Sequence, residues 1–164
     1  RLPQLTSRLL HTQIELVAQQ AEQLLVQLLN RFFTEFDMQI QGSTVVVTGG
    51  GRGIGRDMAR AFAARGANVA LFDLNQADLD ETVRLCEAEG VKARGYLVNV
   101  AQEAAVVAGM DAVVADFGGL DVLVNNAGIV KDGLLIKVKD GAVTGKMTLD
   151  QWQAVIDINL TGVF

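Results

Sequence analysis

Cysteine occurs once in the 164 residues, at Cys86, so an intramolecular disulfide and a cysteine zinc cluster are both excluded. Proline also occurs once, at Pro3, and aromatic residues make up only 5% of the chain, whereas 50% is hydrophobic. That balance is poor material for a disordered chain and suits an α/β domain built from Ala, Val and Leu. Basic side chains are in deficit, 14 against 19 acidic ones, for a net charge of −5. The deficit argues against nucleic acid or an anionic membrane as the main partner. The only histidine is His11, with no triad or metal partners in sequence, so no metal site is expected. Serine stands only at Ser7 and Ser43, and tyrosine only at Tyr96. No small-residue cleavage site follows a compact apolar core, and cytoplasmic is the default location.

Glycine, by contrast, is abundant. Between Gly49 and Gly55 five glycines (Gly49, Gly50, Gly51, Gly53 and Gly55) crowd into one turn. An apolar strand, Thr44–Thr48, precedes this turn, and a helix to about Arg65 follows it. A Cβ-free backbone there lets a pyrophosphate approach closely, and the unpaired N–H groups and dipole of the following helix favour an anion. A merely structural turn would not need so many glycines, since each costs roughly 1 kcal/mol in ordered structure. The next strand ends at Asp73, where a carboxylate can accept hydrogen bonds from a ribose diol.

Residues 1–37 have another texture. Leu10, Ile14, Val17, Ala21, Leu24 and Leu28 form a helical stripe, with Gln and Glu on the opposite face. Their polar residues recur too often for a membrane span, and the polar face lacks the Lys and Arg of a membrane-surface helix. The expectation is a helical extension, 1–37, that packs on the domain or pairs with a copy of itself, followed by a domain over 38–164. Alternatively Met38 is the natural start and 1–37 derives from a fusion or upstream translation. The chain begins at Arg1 and ends at Phe164 inside an apolar, helix-like run, so both ends are expected to be incomplete or altered.

From Gln41 onward the pattern is βα alternation. Strands are expected at Val69–Phe72, Ala93–Val98 and Leu120–Asn125, with helices at Ala77–Glu89 and Gln102–Phe117 between them. Continuous apolar strands separated by helices predict a doubly wound parallel sheet, in the order 3-2-1-4, with ligand at the carboxyl ends of strands 1 and 4. Leu134–Lys139 and Ala142–Met147 flank Asp140-Gly141 and predict a projecting hairpin. Thr148 and Gln151 have the spacing of a capping box, opening a last helix through Trp152, Val155, Ile156 and Leu160.

The segment Thr48-Gly49-Gly50-Gly51-Arg52-Gly53-Ile54-Gly55, followed by Asn125-Asn126-Ala127-Gly128 after the fourth strand and by Asn159 in Asp157-Ile158-Asn159-Leu160-Thr161-Gly162, strongly resembles the short-chain dehydrogenase/reductase family over about residues 40–164. The resemblance implies a Rossmann-type fold and a nicotinamide cofactor held by Thr48, Gly49, Gly51, Arg52, Gly53, Ile54, Gly55 and Asp73. It also implies that Asn99 and Val100 lie near the adenine, Asn99 standing where many members carry an aspartate, and that Asn126, Ala127 and Gly128 line the riboses. By the same resemblance Asn159, the one catalytic candidate, holds a water of a proton relay through its carbonyl and side chain. Asp73 repels a 2′-phosphate, which favours NAD over NADP; Arg52, able to pair with such a phosphate, is the counterweight.

The family's chemistry uses a serine and a tyrosine–x–x–x–lysine pair, the lysine lowering the tyrosine pKa. Here Val100 stands four residues after Tyr96, and both serines precede the first strand. In the family those residues follow the helix bearing Asn159, so truncation is the expected explanation. The whole protein is expected to be an NAD-dependent oxidoreductase acting on a small carbonyl or alcohol compound, with the 3-oxoacyl-(acyl carrier protein) reductase branch the nearest likeness, and to form a homo-oligomer. The competing reading is a non-catalytic nucleotide-binding or assembly module.

Overall fold

The computed structural model describes residues 39–164, together with an exposed helical Gln23. The helix expected over residues 1–37, and His11 on it, lie outside the described residues apart from Gln23.

Four parallel strands form the sheet: β1 (Thr44–Thr48), β2 (Asn68–Asp73), β3 (Ala93–Leu97) and β4 (Val122–Val124), in the order β3-β2-β1-β4. Helix α1 (Gly53–Ala63) connects β1 to β2, α2 (Gln76–Glu87) connects β2 to β3, and α3 (Glu103–Phe117) connects β3 to β4. The chain winds outward from β1 through β2 to β3, then crosses back to place β4 on the other side of β1. That reversal defines a doubly wound Rossmann-type fold and opens a crevice at the carboxyl ends of β1 and β4.

Alternation along β1 and β2 supplies the core on both faces. Val45, Val47, Val69 and Leu71 pack with Ala59 and Ala63 of α1 and Leu79 and Cys86 of α2. On the other face Val46, Ala70 and Phe72 meet Val98 and Val113. All five β1 residues are buried, as the central strand of a sheet covered on both sides requires. Gly109 of α3 lets that helix close on the sheet: a Cβ there would stand 2.8 Å from Val98 Cγ2 and 2.9 Å from Phe72 Cζ.

β4 is shorter than the Leu120–Asn125 run suggests. Its entry is turned by Asp121, whose Oδ2 accepts from Thr44 N–H at 2.7 Å while its own N–H donates to Thr44 O at 3.0 Å. Its exit is turned by Asn126, described below. After β4 the hairpin forms from β5 (Ile136–Lys139) and β6 (Ala142–Lys146), antiparallel and closed by Asp140 at φ +52 and Gly141 at φ +77. Two successive positive φ values are those of a type I′ turn, the turn for which Asp-Gly is selected. The ladder shifts register between Lys137 and Val138. Helix α4 (Leu149–Asn159) then starts in a reciprocal capping box: Thr148 accepts from Gln151 N–H, and the Gln151 side chain accepts from Thr148 N–H. A 3₁₀ turn, Thr161–Val163, follows.

Candidate nucleotide-binding site

Register sets the site. Thr48 pairs with Phe72, Val47 with Val124, and Asp73 with Leu97, so all four strands deliver their carboxyl ends to one edge. The glycine turn, Asp73, Asn99 and Asn126 meet there because each follows or ends one strand.

Thr48 joins the turns of β1 and β4. Its Oγ1 accepts from the N–H groups of Asn126 and Ala127, both at 3.0 Å, and donates to Val124 O at 3.3 Å. Asn126 returns the contact, donating Nδ2 to Thr48 O at 2.9 Å and Gly49 O at 3.2 Å. Gly55 completes the junction by having no side chain: a Cβ there would fall 2.0 Å from Gly49 O and 2.7 Å from Asn126 Nδ2. Gly53 serves differently, taking φ +54 with open space where a Cβ would be. Arg52, the N-cap of α1, makes no side-chain capping bond, so no side chain of its own covers the first-turn N–H groups. A Cβ-free approach to an uncapped helix N-terminus suits an anion.

Gly51 faces the opposite way. Its N–H donates to Asp73 Oδ2 at 2.9 Å, and its carbonyl accepts from Arg56 Nε at 3.0 Å, Arg56 Nη2 at 2.5 Å and Thr82 Oγ1 at 2.8 Å. Thr82 is fully buried and Arg56 also lies 3.9 Å from an Asp78 oxygen. The turn is thereby strapped to β2 and α2. Asp73 Oδ1 accepts from Leu74 N–H at 2.7 Å and Asn75 N–H at 3.3 Å, which fixes the carboxylate at the rim.

These elements enclose a cleft of about 550 Å³. Of the expected residues, Gly49, Arg52, Gly53, Ile54, Gly55, Asp73, Asn99, Val100, Asn126, Ala127 and Gly128 all line it. Thr48 and Gly51 do not; they hold the turn from behind. Asn159 lies beside the cleft, where its Oδ1 accepts from Ile129 N–H and its Nδ2 donates to Ile129 O, each at 2.9 Å. Its side chain therefore anchors the segment after Gly128. Asn99 is likewise engaged, its Oδ1 accepting from Ala101 N–H at 3.0 Å.

Arg56, Thr82, Asp78 and Ile129 were not singled out from sequence. Arg56 and Thr82 carry no motif that marks them; only the packing of α2 against the glycine turn brings them together. Tyr96 is remote from acid–base work. Its hydroxyl donates to Asp116 Oδ2 at 2.6 Å, and burial, reinforced by that carboxylate, pushes its ionisation upward. No group of metal-ligating side chains occurs among the described residues.

Strand order and cleft together define a doubly wound α/β protein with a ligand crevice at its switch point. Residues 43–164 match the family model of the short chain dehydrogenases, and the chain belongs to that family. It is 38% identical over 129 residues to a 3-oxoacyl-(acyl-carrier-protein) reductase of Thermotoga maritima, covering 77% of this chain and 48% of that protein. It is 40% identical over 126 residues to 3beta-hydroxysteroid dehydrogenase 1 of Eggerthella lenta, covering 76% of this chain and 45% of that one. Among solved structures, an NAD+-bound xylitol dehydrogenase superposes with a TM-score of 0.65 at 36% identity, over 77% of this chain and 45% of the other. A blue fluorescent protein from a metagenomic library, in complex with NADPH, gives 0.65 at 32% identity, over 76% and 48%. The chain spans about half the length of the curated relatives it matches.

Proposed function

We propose that this chain is the cofactor-binding part of a nicotinamide-dependent oxidoreductase that interconverts a carbonyl and an alcohol. The observation that carries the reading is the glycine turn with Asp73 at its rim. Gly49, Gly53 and Gly55 leave the α1 N-terminus open to a pyrophosphate, while Asp73, held by Gly51, Leu74 and Asn75, offers its remaining lone pairs to a ribose diol. When bound, the nicotinamide supplies or accepts the hydride. The chain's own residues bind and orient it: Asn126 and Thr48 hold the glycine turn against the β4 turn, and Asn159 holds Ile129 at the end of the cleft.

The same geometry favours NAD over NADP. Asp73 and Asp78 both line the ribose side of the cleft, and Arg56, the guanidinium beside them, is engaged by the Gly51 carbonyl. Only Arg52 is left to attract a 2′-phosphate. Titration of nicotinamide fluorescence with NADH and NADPH tests both statements: NADH is expected to bind more tightly. Tighter NADPH binding would overturn the reading of Asp73, and no response to either cofactor would overturn the nucleotide reading.

The substrate proposed is a small carbonyl or alcohol compound, of the 3-oxoacyl-(acyl carrier protein) kind by likeness to the Thermotoga relative. The tyrosine–x–x–x–lysine that the family's chemistry uses is not in this sequence, since Val100 stands four residues after Tyr96 and no other tyrosine occurs, and both serines precede the first strand. The alternative reading is a nucleotide-binding or assembly module without catalysis. Sequencing the reading frame past Phe164 separates the two: a serine and a tyrosine–x–x–x–lysine within the next βα units support the enzyme, and an immediate stop codon supports the module. We further propose a cytoplasmic homo-oligomer with residues 1–37 as a separate helical extension; deleting 1–37 and measuring oligomer size tests the extension's part in assembly. Among the described residues no helix is long and apolar enough to cross a membrane.

A further inference from the structure

Beyond the nucleotide cleft lie two more hollows, each sharing lining residues with its neighbour. Ile129 lines both the cleft and a neighbouring hollow of about 460 Å³, whose wall is largely apolar and includes Val130, Leu135, Trp152 and Val155. Lys131, Asp132, Gly133, Met147 and Gln151 line both that hollow and a third of about 430 Å³. The third hollow is lined by three lysines, Lys131, Lys137 and Lys146, against one carboxylate, Asp132, with the Thr144 hydroxyl and the Gln151 amide beside them.

This concentration of positive charge contrasts with the chain as a whole, which carries a net −5. Among the described residues the ion pairs are Arg56–Asp78, Arg84–Glu81 and Arg94–Asp116, so the three ammonium groups keep their charge unpaired. The hairpin also holds Lys137 in place. Its cross-strand partner is Gly145, and a Cβ built there would meet Lys137 Cδ at 3.6 Å, so the lysine stem lies over a residue without a side chain. Thr144 Oγ1 donates to Lys137 O at 3.3 Å across the register shift. Met147, whose N–H donates to Leu135 O at 3.1 Å, places its methyl against Gly133 at the junction of the two hollows.

We propose that the lysine hollow is a subsite for an anionic group at the far end of the substrate. The order of the three spaces then defines a substrate class: an elongated carbonyl or alcohol compound with its reacting carbon beside the cofactor cleft, an apolar middle along Trp152 and Leu135, and a terminal carboxylate or phosphate among Lys131, Lys137 and Lys146. Three positive side chains lining one hollow would favour such an anion, and the attraction would weaken with added salt. The assignment rests on the nicotinamide reading of the first cleft for which end reacts, but not for whether the anion binds.

Trp152 is the chain's only tryptophan and lines the middle hollow, so its fluorescence reports on the neighbouring subsite. With NADH saturating, the chain is titrated separately with inorganic phosphate and with succinate, and NADH affinity is measured in parallel from nicotinamide fluorescence. Saturable quenching or enhancement by at least one anion is expected, with half-saturation raised about tenfold in Lys137→Gln and in Lys146→Gln. Lys139→Gln removes the same charge from the same hairpin but from a residue that does not line the hollow, and it is expected to shift half-saturation less than twofold. A response to phosphate alone assigns a phosphorylated substrate, and a response to succinate alone assigns a carboxylate. The proposal is overturned if neither anion gives a saturable response, or if Lys139→Gln weakens binding as much as Lys137→Gln. Loss of NADH binding with the anion response intact would instead overturn the nicotinamide reading alone.

Discussion

Asp73 and Gly51 are joined by a hydrogen bond of 2.9 Å from the Gly51 N–H to Asp73 Oδ2, across 22 residues of sequence. The carboxylate proposed above to meet a ribose diol thus also positions the glycine turn proposed to meet a pyrophosphate. Selectivity and turn geometry share one side chain, so substitutions at Asp73 separate them only if an acceptor is kept. Asp73→Asn keeps one acceptor oxygen for Gly51 and removes the charge, at the loss of the bonds from the Leu74 and Asn75 N–H groups. The ratio of NADPH to NADH dissociation constants is expected to fall at least tenfold, on the order of 1.4 kcal/mol. Asp73→Ala is expected to weaken both cofactors as well. Titrations of nicotinamide fluorescence on both variants measure the ratio, and an unchanged ratio in Asp73→Asn would remove Asp73 from cofactor selection.

Gly55 and Gly53 are expected to respond differently to the same change. In Gly55→Ala the new methyl would lie 2.0 Å from Gly49 O, a backbone atom, so the junction of the two turns must open. NADH affinity should fall at least tenfold, with a clear drop in melting temperature. In Gly53→Ala the methyl meets open space, and the cost is only that of φ +54 for an L-residue, about 1–2 kcal/mol. Thermal unfolding of the two variants in parallel checks the order; equal effects would contradict it.

Thr48→Val removes an acceptor shared by the Asn126 and Ala127 N–H groups while keeping side-chain volume. Asn126 N–H keeps Val124 O as an acceptor at 3.0 Å, but Ala127 N–H is left without a partner, which is expected to cost about 1–2 kcal/mol in urea unfolding, and Thr48→Ser should restore most of it. A Val variant as stable as the parent would show that these bonds do not hold the β1 and β4 turns together.

Cys86 is sealed in the core between α2 and the sheet, and burial pushes its thiol up to about 11. The folded protein should therefore resist thiol reagents at neutral pH and react only after denaturation. Above pH 9 the unfolded thiol ionises while the buried one stays protonated. The linked stability is thus fully present below about pH 9 and is lost as pH rises through about 11. Cys86→Ala should abolish this part of the decline, which chemical denaturation at pH 8, 9.5 and 11 would measure.

Much of the fold was legible because its signals are local. The apolar strands, the glycine turn, the Asp140-Gly141 hairpin and the Thr148–Gln151 capping box each depend on a few neighbouring residues, and each occurs where its pattern stands. The ends of β4 were less legible. Leu120–Asn125 reads as one apolar run, yet Asp121 caps Thr44 at one end and Asn126 turns into Thr48 at the other, both bonds spanning more than seventy residues. Most of the cleft lining was also foreseen, since those residues follow strand ends that a parallel sheet must gather on one edge.

The sequence by itself determined the strand–helix alternation, the crossover at β1, and which residues stand at the carboxyl edge, because hydrophobic period and glycine spacing are written in the order of the chain. Tertiary structure decided what each of those residues does there. Gly51 turned away from the cleft to meet Asp73, Arg56 and Thr82; Asn159 closed on Ile129; and Lys131, Lys137 and Lys146 came to line one hollow. Those outcomes depend on how α2, α4 and the hairpin pack, and packing sets distances between residues that spacing along the chain does not encode.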